Sequence, residues 1–480
     1  MLQGWLYGRR DSKGIAFLVV RDGTGLVQAV VNQTEVNEAT WAAAEMLTQE
    51  SSLRITGTVV ADERQVGGHE LRVTGVEVIA LSDDYPITPK EHGVEFLMNH
   101  RHLHLRSRRT WAILRIRNRI VMSIHAYFQE RGFLQLDPPI LTGNAVEGTT
   151  TLFELDFYGE PAYLTQSGQL YGEALAMAFG KIYTFGPTFR AEKSKTRRHL
   201  SEFWMVEPEM AFYDLAMDMD LAEGMLQRIC RDVLDTCAAE LAVLERDTSA
   251  IEATAQGSFP RLSYTEAVEL LTSAKTRQMV EDKEASLKAE QQSLLDERAA
   301  NEAAYGQAKK HEKRRMDARA IAIGSRLDAI DEDLRNLPAW RASASGFEWG
   351  EDLGGSDETL LTWHFDRPII VHRYPAAIKA FYMKRDPEDD RLALGMDILA
   401  PEGYGEIVGG GERATDLDFL KRQVEEHGLP EEVFGWYFDL RRYGNVPHAG
   451  FGLGLERAIA WVCGLRHLRE TIPFPRLMGR

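Results

Sequence analysis

Apolar and polar residues alternate in short runs over the first eighty positions, the two-residue period of β-strands. Gly4-Trp5-Leu6-Tyr7, Ile15 to Val20 and Leu26 to Val31 are rich in β-branched and aromatic residues, and Asp22-Gly23-Thr24-Gly25 supplies a tight turn between the last two. A helical stretch at Asn37 to Gln49 precedes two further runs, Leu53 to Val60 and Leu71 to Val78. Five strands with one intervening helix predict a small OB-type β-barrel over residues 1–81. A polar, proline-containing linker covers 82–100.

From Ile113 the pattern turns helical, then alternates short strands with helices to the C-terminus. This predicts an α+β domain over 101–480, built on an antiparallel sheet. One segment, 275–345, has a different character and is rich in Glu, Ala, Lys and Arg. Met279, Leu287 and Leu294 fall about a heptad apart in its first half, and Ile323, Leu327, Ile330, Leu334 and Leu337 alternate by four and three in its second. With Tyr305-Gly306 between the halves, the simplest reading is an antiparallel coiled-coil hairpin. Projecting from the body, it is expected to leave the site undisturbed.

Composition narrows the function class. At 480 residues the chain can bury several cores. No apolar run is long enough to span a membrane, and the N-terminus has no basic region followed by an apolar stretch. Cys230, Cys237 and Cys463 show no metal-ligand spacing, which suits a reducing cytoplasm. A net charge of −17 argues at first against a nucleic-acid partner. Binding is governed by local charge, however, and basic residues cluster at Arg9-Arg10, Arg101 to Arg109 and Lys193 to Arg198.

The chemistry concentrates in Phe189 to Glu209. Two strand-like pieces, Thr188-Phe189-Arg190-Ala191-Glu192 and Glu202 to Glu209, flank a basic loop containing Thr196-Arg197-Arg198-His199, the shape of an antiparallel hairpin. An arginine on such a strand can neutralise charge developing on a phosphate under in-line attack. This stretch resembles motif 2 of the class II aminoacyl-tRNA synthetases. Gly450-Phe451-Gly452-Leu453-Gly454-Leu455-Glu456-Arg457 resembles motif 3, and Gly132 to Ile140 resembles motif 1, whose proline, here Pro139, sits at the subunit interface of a homodimer in that class. The resemblance implies ATP and Mg²⁺ as cofactors. Arg190 would act at the α-phosphate and Arg457 at the γ-phosphate, with Glu192, Arg198, His199, Phe203 and Glu406 also on ATP. Asp397 and Glu406 match the family's metal-holding carboxylates, and His448 is expected near the phosphates. Glu147, Ser167 and Gln169 would contact the α-amino end of the amino acid.

An OB domain ahead of such a core resembles the synthetases for aspartate, asparagine and lysine, and Gly405 to Arg413 with Ile472 to Arg476 look like the aspartate and asparagine pair. Two positions choose between these. Aspartate enzymes carry a lysine where Gln166-Ser167-Gly168-Gln169-Leu170-Tyr171-Gly172 places Gly172, and an aspartate where this chain has Glu207. A site for asparagine must accept an NH₂ group, which Glu207 can do while Arg413 holds the amide oxygen. The resemblance therefore implies attachment of L-asparagine to tRNA(Asn) through an asparaginyl-adenylate. The alternatives are an aspartyl-tRNA synthetase or a paralogue amidating aspartate to free asparagine. Phe17, Arg10 and Gln28 match residues that stack on and bond the central anticodon base. The lead-in to the first strand is shorter than usual in the family, so the start site is open to revision.

Overall fold

Ala16, Leu18 and Val20 are buried on one strand while Phe17 and Val19 between them stay partly exposed, so β2 (Ile15–Arg21) has an inner and an outer face. The same alternation runs through β1 (Leu2–Ser12), β3 (Leu26–Asn32), β4 (Ser52–Ala61) and β5 (His69–Ala80). These five close into a barrel in the order β1-β2-β3-β5-β4, with β3 and β5 parallel. Leu6, Leu18, Val31, Leu53 and Ile55 fill it. The Asp22 carboxylate closes the β2–β3 turn by accepting from the Thr24 N–H at 2.9 Å and its hydroxyl at 2.7 Å. Asn37 caps the helix Glu38–Met46 through the Thr40 N–H. The computed structural model describes residues 1–479 except 66, 89, 91, 144–150 and 194–195, and only the backbone of residue 310. They fall into two units, Met1–His104 and Leu105–Arg480.

The second unit is organised by an eight-stranded sheet. Its members are β6 (Leu134–Gln135), β10 (Lys181–Phe189), β11 (Glu202–Ala211), β12 (Arg261–Ser263), β13 (Ile369–Pro375), β14 (Leu392–Ala400), β15 (Gly405–Glu412) and β16 (His448–Gly454). The order is β12-β13-β14-β15-β16-β11-β10-β6, antiparallel except where β12 meets β13 and β6 meets β10. Three short strands, β7 (Leu141–Thr142), β8 (Glu154–Phe157) and β9 (Glu160–Leu164), form a separate sheet. The helices Arg108–Gln129, Leu215–Thr236 and Leu455–Cys463 contribute Ile116, Ile120, Met225, Ile229 and Ile459 to a core shared with Val206, Ile398, Val408 and Leu453 of the main sheet. Cys230, Cys237 and Cys463 are free and buried there. Among the described residues no helix is long and apolar enough to cross a membrane.

Ala274–Tyr305 and Lys310–Gly346 form two long helices. The pairs Glu297–Arg319, Glu290–Arg326 and Glu281–Arg341 step in opposite directions along the two helices, which fixes them as antiparallel. The seam runs through Val280 and Leu287 on one side and Ile323, Leu327, Ile330 and Leu337 on the other. Val280 is buried and Met279 only partly so, which shifts the expected heptad by one residue. The hairpin does not merely project. At its base Val280, Leu337, Trp340 and Ala344 share a core with Tyr264, Leu360 and Ile369 of the surrounding domain. Apolar side chains there replace what would otherwise be an exposed face, so the base is part of the body.

A candidate active site across two joined cavities

The strands β10 and β11 pair in continuous register from Lys181↔Met210 to Phe189↔Glu202. That register brings the two ends of the motif 2 hairpin together: Arg190 follows β10, and its guanidinium lies 5.4 Å from the Phe203 ring. In the loop between the strands, His199 Nε2 is 3.3 Å from the Glu192 carboxylate and its Nδ1 meets the Thr196 hydroxyl. Burial lowers the His199 pKa, and the cations Arg457, Arg190 and Arg198 add to that against the pull of Glu192. Arg198 donates to the Gly403 carbonyl and lies 3.6 Å from Glu358. From the other side, Arg457 at the start of the helix Leu455–Cys463 donates to the Glu406 carbonyl at 3.0 Å. Arg190, Glu192, Arg198, His199, Phe203, Glu406 and Arg457 all line one cavity of about 220 Å³.

A second cavity, also about 220 Å³, is lined by Ser167, Gln169, Glu207, Arg413, Asp397 and Glu406. Glu207 is buried and ringed by donors. The Gly168 N–H reaches it at 2.8 Å, the Thr184 hydroxyl at 3.1 Å, and the Ser167 hydroxyl also donates to it. Arg413 is held by Glu209 through two bonds of 3.0 Å, Nε to Oε1 and Nη2 to Oε2. Both partners are 2% exposed. Burial opposes the charge on Arg413, and the Glu209 carboxylate overcomes it and raises the pKa. Gly450 makes this pair possible: a Cβ there would stand 2.1 Å from Glu209 Oε2. Gly172 faces the same place, with a Cβ position 3.7 Å from that of Glu209. A lysine in its stead would add a second cation beside Arg413.

Arg190, Met205, Glu406 and Gly452 line both cavities. The two spaces therefore meet at an arginine and a carboxylate, where a phosphate in one could face a nucleophile in the other. Near this junction Asp397 lies 2.7 Å from Lys379 Nζ. Burial and the like charge of Glu406 raise its pKa, and Lys379 opposes them. Glu358 is pushed up to about 7 by burial and by Glu406, with Arg198 and Arg457 opposing. A Cβ on Gly409 would stand 2.7 Å from Glu406 Oε1 and 3.3 Å from Asp397 Oδ1, so both oxygens face one small space that only glycine leaves open. Repelling carboxylates with oxygens converging on such a space suit a hard divalent cation.

Of the residues singled out in the sequence, Glu147 lies outside the described residues. His448 must be corrected. It is fully buried, lines neither cavity, and bonds Glu173 at 2.9 Å and the Val446 carbonyl at 2.9 Å. The first four residues of β16, His448 to Phe451, are all buried, so the strand leaves this side chain no open face. Arg10, Phe17 and Gln28 fall on neighbouring strands of the barrel: Arg10 pairs with Phe17 across β1 and β2, with its guanidinium 4.7 Å from the ring. Gln28 pairs with Val19 and donates to Glu70 at 3.1 Å. Phe17 is thus on the outer face rather than in the barrel core. Residues that the motifs did not assign are Glu209, Lys379 and Glu358. Glu209 stands inside the motif 2 stretch, whereas Lys379 and Glu358 lie outside the motif stretches. The hairpin also reaches the site, for Glu332 pairs with Arg197 of the motif 2 loop at 2.5 Å.

Comparison with known proteins agrees with this geometry. The family model for tRNA synthetases class II (D, K and N) matches residues 93–478, and that for the OB-fold nucleic acid binding domain matches 1–79. An asparagine–tRNA ligase of Sorangium cellulosum is 51% identical, covering all of this chain and 95% of its own length. One of Thermus thermophilus is 50% identical with the same coverage. The crystal structure of asparaginyl-tRNA synthetase from Pyrococcus horikoshii complexed with asparaginyl-adenylate superposes with a TM-score of 0.82 at 38% identity, over 100% of this chain and 95% of that one. A chain half identical over its whole length to such enzymes, with both family models in order, belongs to the asparagine–tRNA ligases of the class II tRNA synthetases.

Proposed function

We propose that the chain activates L-asparagine with ATP and transfers it to tRNA(Asn). The observation that carries this reading is the junction of the two cavities at Arg190 and Glu406. ATP lies in the first cavity, its adenine against Phe203 with the amino group on Glu192, and its γ-phosphate toward Arg457, Arg198 and His199. Asparagine lies in the second, its amide oxygen on Arg413 and its NH₂ on Glu207, with Ser167, Gln169 and Glu147 at the α-amino end. A carboxylate oxygen of asparagine attacks the α-phosphorus in line, the bond to the β-phosphate oxygen breaks, and pyrophosphate leaves. Arg190 offsets the charge that builds on the α-phosphate. A ribose hydroxyl of the tRNA terminus then attacks the activated carbonyl, and AMP departs with the bonding electron pair. No protein nucleophile is needed, so the residues work by position and charge.

Asp397 and Glu406 would hold Mg²⁺, which when bound neutralises phosphate charge. Arg10, Phe17 and Gln28 would bind the anticodon, with Phe17 stacked under a base. Leu134, Ile140 and Leu141 around Pro139 are 45%, 44% and 42% exposed, and a homodimer would cover them. The buried free thiols suit a cytoplasmic protein.

Two assays test the reading. ATP–pyrophosphate exchange is expected with asparagine and not with aspartate; equal exchange with both would make this an aspartate-activating enzyme. Aminoacylation of total tRNA with labelled asparagine should charge tRNA(Asn) alone. AMP formation from aspartate and ammonia without tRNA would instead support the amidating paralogue.

A further inference from the structure

Glu173 lies one helical turn beyond Gln169 on the helix Gln169–Phe179 and is fully buried. It lines neither cavity, yet four side chains converge on it. The Tyr437 hydroxyl lies 2.8 Å from each carboxylate oxygen, Arg441 donates to Oε2 at 2.7 Å, and His448 Nε2 lies 2.9 Å from the same oxygen. Gln169, which lines the amino-acid cavity, donates its Nε2–H to Oε1 at 3.2 Å. Burial disfavours the charge on Glu173, but Arg441 and His448 outweigh it and hold the carboxyl well below the usual range.

The same cluster brackets Arg413. The Arg413 N–H donates to the His448 carbonyl at 2.9 Å, and Arg441 Nε donates to the carbonyl of the next residue, Ala414, at 3.0 Å. Oxygens of Glu173 and Glu209 and a nitrogen of His448 all lie within 4.8 Å of one another, a grouping that could suggest a metal site. Two guanidiniums already occupy these carboxylates, so the cluster is a buried ion-pair network. Both ring nitrogens of His448 face oxygens that accept, Val446 O and Glu173 Oε2. The charge of Glu173 is thus set against the Arg441 guanidinium, which is tied through the Ala414 carbonyl to the backbone that carries Arg413.

Building on the assignment of asparagine as substrate, we infer that Glu173 is a specificity-determining positioning residue. Its negative charge cancels Arg441 behind Arg413, so the side-chain pocket offers no surplus positive charge to the carboxylate of aspartate. Its Oε1 also turns the Gln169 amide so that the carbonyl oxygen, the atom an α-ammonium group needs, faces the cavity. Arg413 paired with Glu209 holds an amide, and Arg413 backed by an unpaired guanidinium would hold an anion better.

A charge series tests this by ATP–pyrophosphate exchange with asparagine and aspartate in parallel. Glu173→Gln keeps the shape and adds one positive charge, Arg441→Met removes one, and the double variant restores the balance. The preference for asparagine, read as the ratio of the two kcat/KM values, is expected to fall about tenfold in Glu173→Gln. It should recover in the double variant and hold or rise in Arg441→Met, while KM for ATP stays unchanged throughout. A ratio indifferent to charge, with both amino acids losing activity equally, overturns the inference and leaves Glu173 a packing residue. If one single variant fails to fold, the other single and the double still read the sign. Lack of exchange with asparagine in the unaltered chain would instead sink the proposed function.

Discussion

Arg413 and Glu209 are a pair in which neither member can be removed alone. Both are almost wholly buried and joined by two parallel bonds. Breaking such a pair from one side costs about 3–5 kcal/mol, because the remaining charge stays buried. Glu209→Gln is therefore expected to lower the thermal midpoint and to raise KM for asparagine while leaving KM for ATP near its starting value. A matching rise for ATP would show that the damage spreads across the junction. This residue stood within the motif 2 stretch, yet its role was not legible there. Its partner is 204 positions away, and the space between them exists only because Gly450 on a third strand has no Cβ. Glu207 and Gly172 could be weighed from sequence because each is a substitution within a motif. The partners of Glu207, namely Ser167, Gly168 and Thr184, emerged only with the fold. His448 misled for the converse reason, since adjacency to a glycine-rich turn says nothing about which face of the strand a side chain takes.

At the scale of elements, the inserted hairpin divides into a tip that touches little and a base that belongs to the core. Loss of a buried Leu or Trp costs about 2–5 kcal/mol, and the base contributes Val280, Leu337 and Trp340. Removing 275–345 is thus expected to destabilise the domain strongly in thermal unfolding. Trimming only 295–318 should leave both the midpoint and exchange activity unchanged. The heptad pattern made the two helices legible, but not the burial of their base, which depends on partners such as Tyr264 and Leu360 outside the segment. A second element bordering the ATP cavity is the short turn Leu468–Glu470, capped by His467 Nδ1, which accepts the Arg469 N–H at 3.2 Å. Burial, with Arg469 and Arg197 nearby, lowers the His467 pKa to about 4 from an ordinary 6.5. A histidine depressed in the fold stabilises it above its unfolded value, and that contribution is lost as pH falls from about 6.5 to about 4. His467→Asn can cap without titrating, so the thermal midpoint of that variant should decline less steeply over this range than that of the unaltered chain.

At the scale of the molecule, the chain comprises two compact units. Both architectures were legible in the sequence, for different reasons. The barrel announces itself by a two-residue period over five runs, and the synthetase fold by the resemblance of three motif stretches to those of its class. On the barrel, the core residues and the proposed anticodon residue lie on opposite faces of one strand. Ala16, Leu18 and Val20 hold the barrel together, while Phe17 between them points outward and contributes little to the core. Removing its ring should then leave the fold intact and act only on what the face binds. Stacking of a base on an aromatic side chain is worth about 1–3 kcal/mol, so Phe17→Ala is expected to raise KM for tRNA(Asn) about tenfold or more. ATP–pyrophosphate exchange, which needs no tRNA, should proceed at the original rate, because Phe17 lines neither cavity of the catalytic unit. Steady-state aminoacylation against tRNA concentration, run beside exchange on the same preparation, separates these outcomes. An unchanged KM for tRNA would remove Phe17 from anticodon binding. A parallel loss of exchange would mean that the barrel supports the catalytic unit itself.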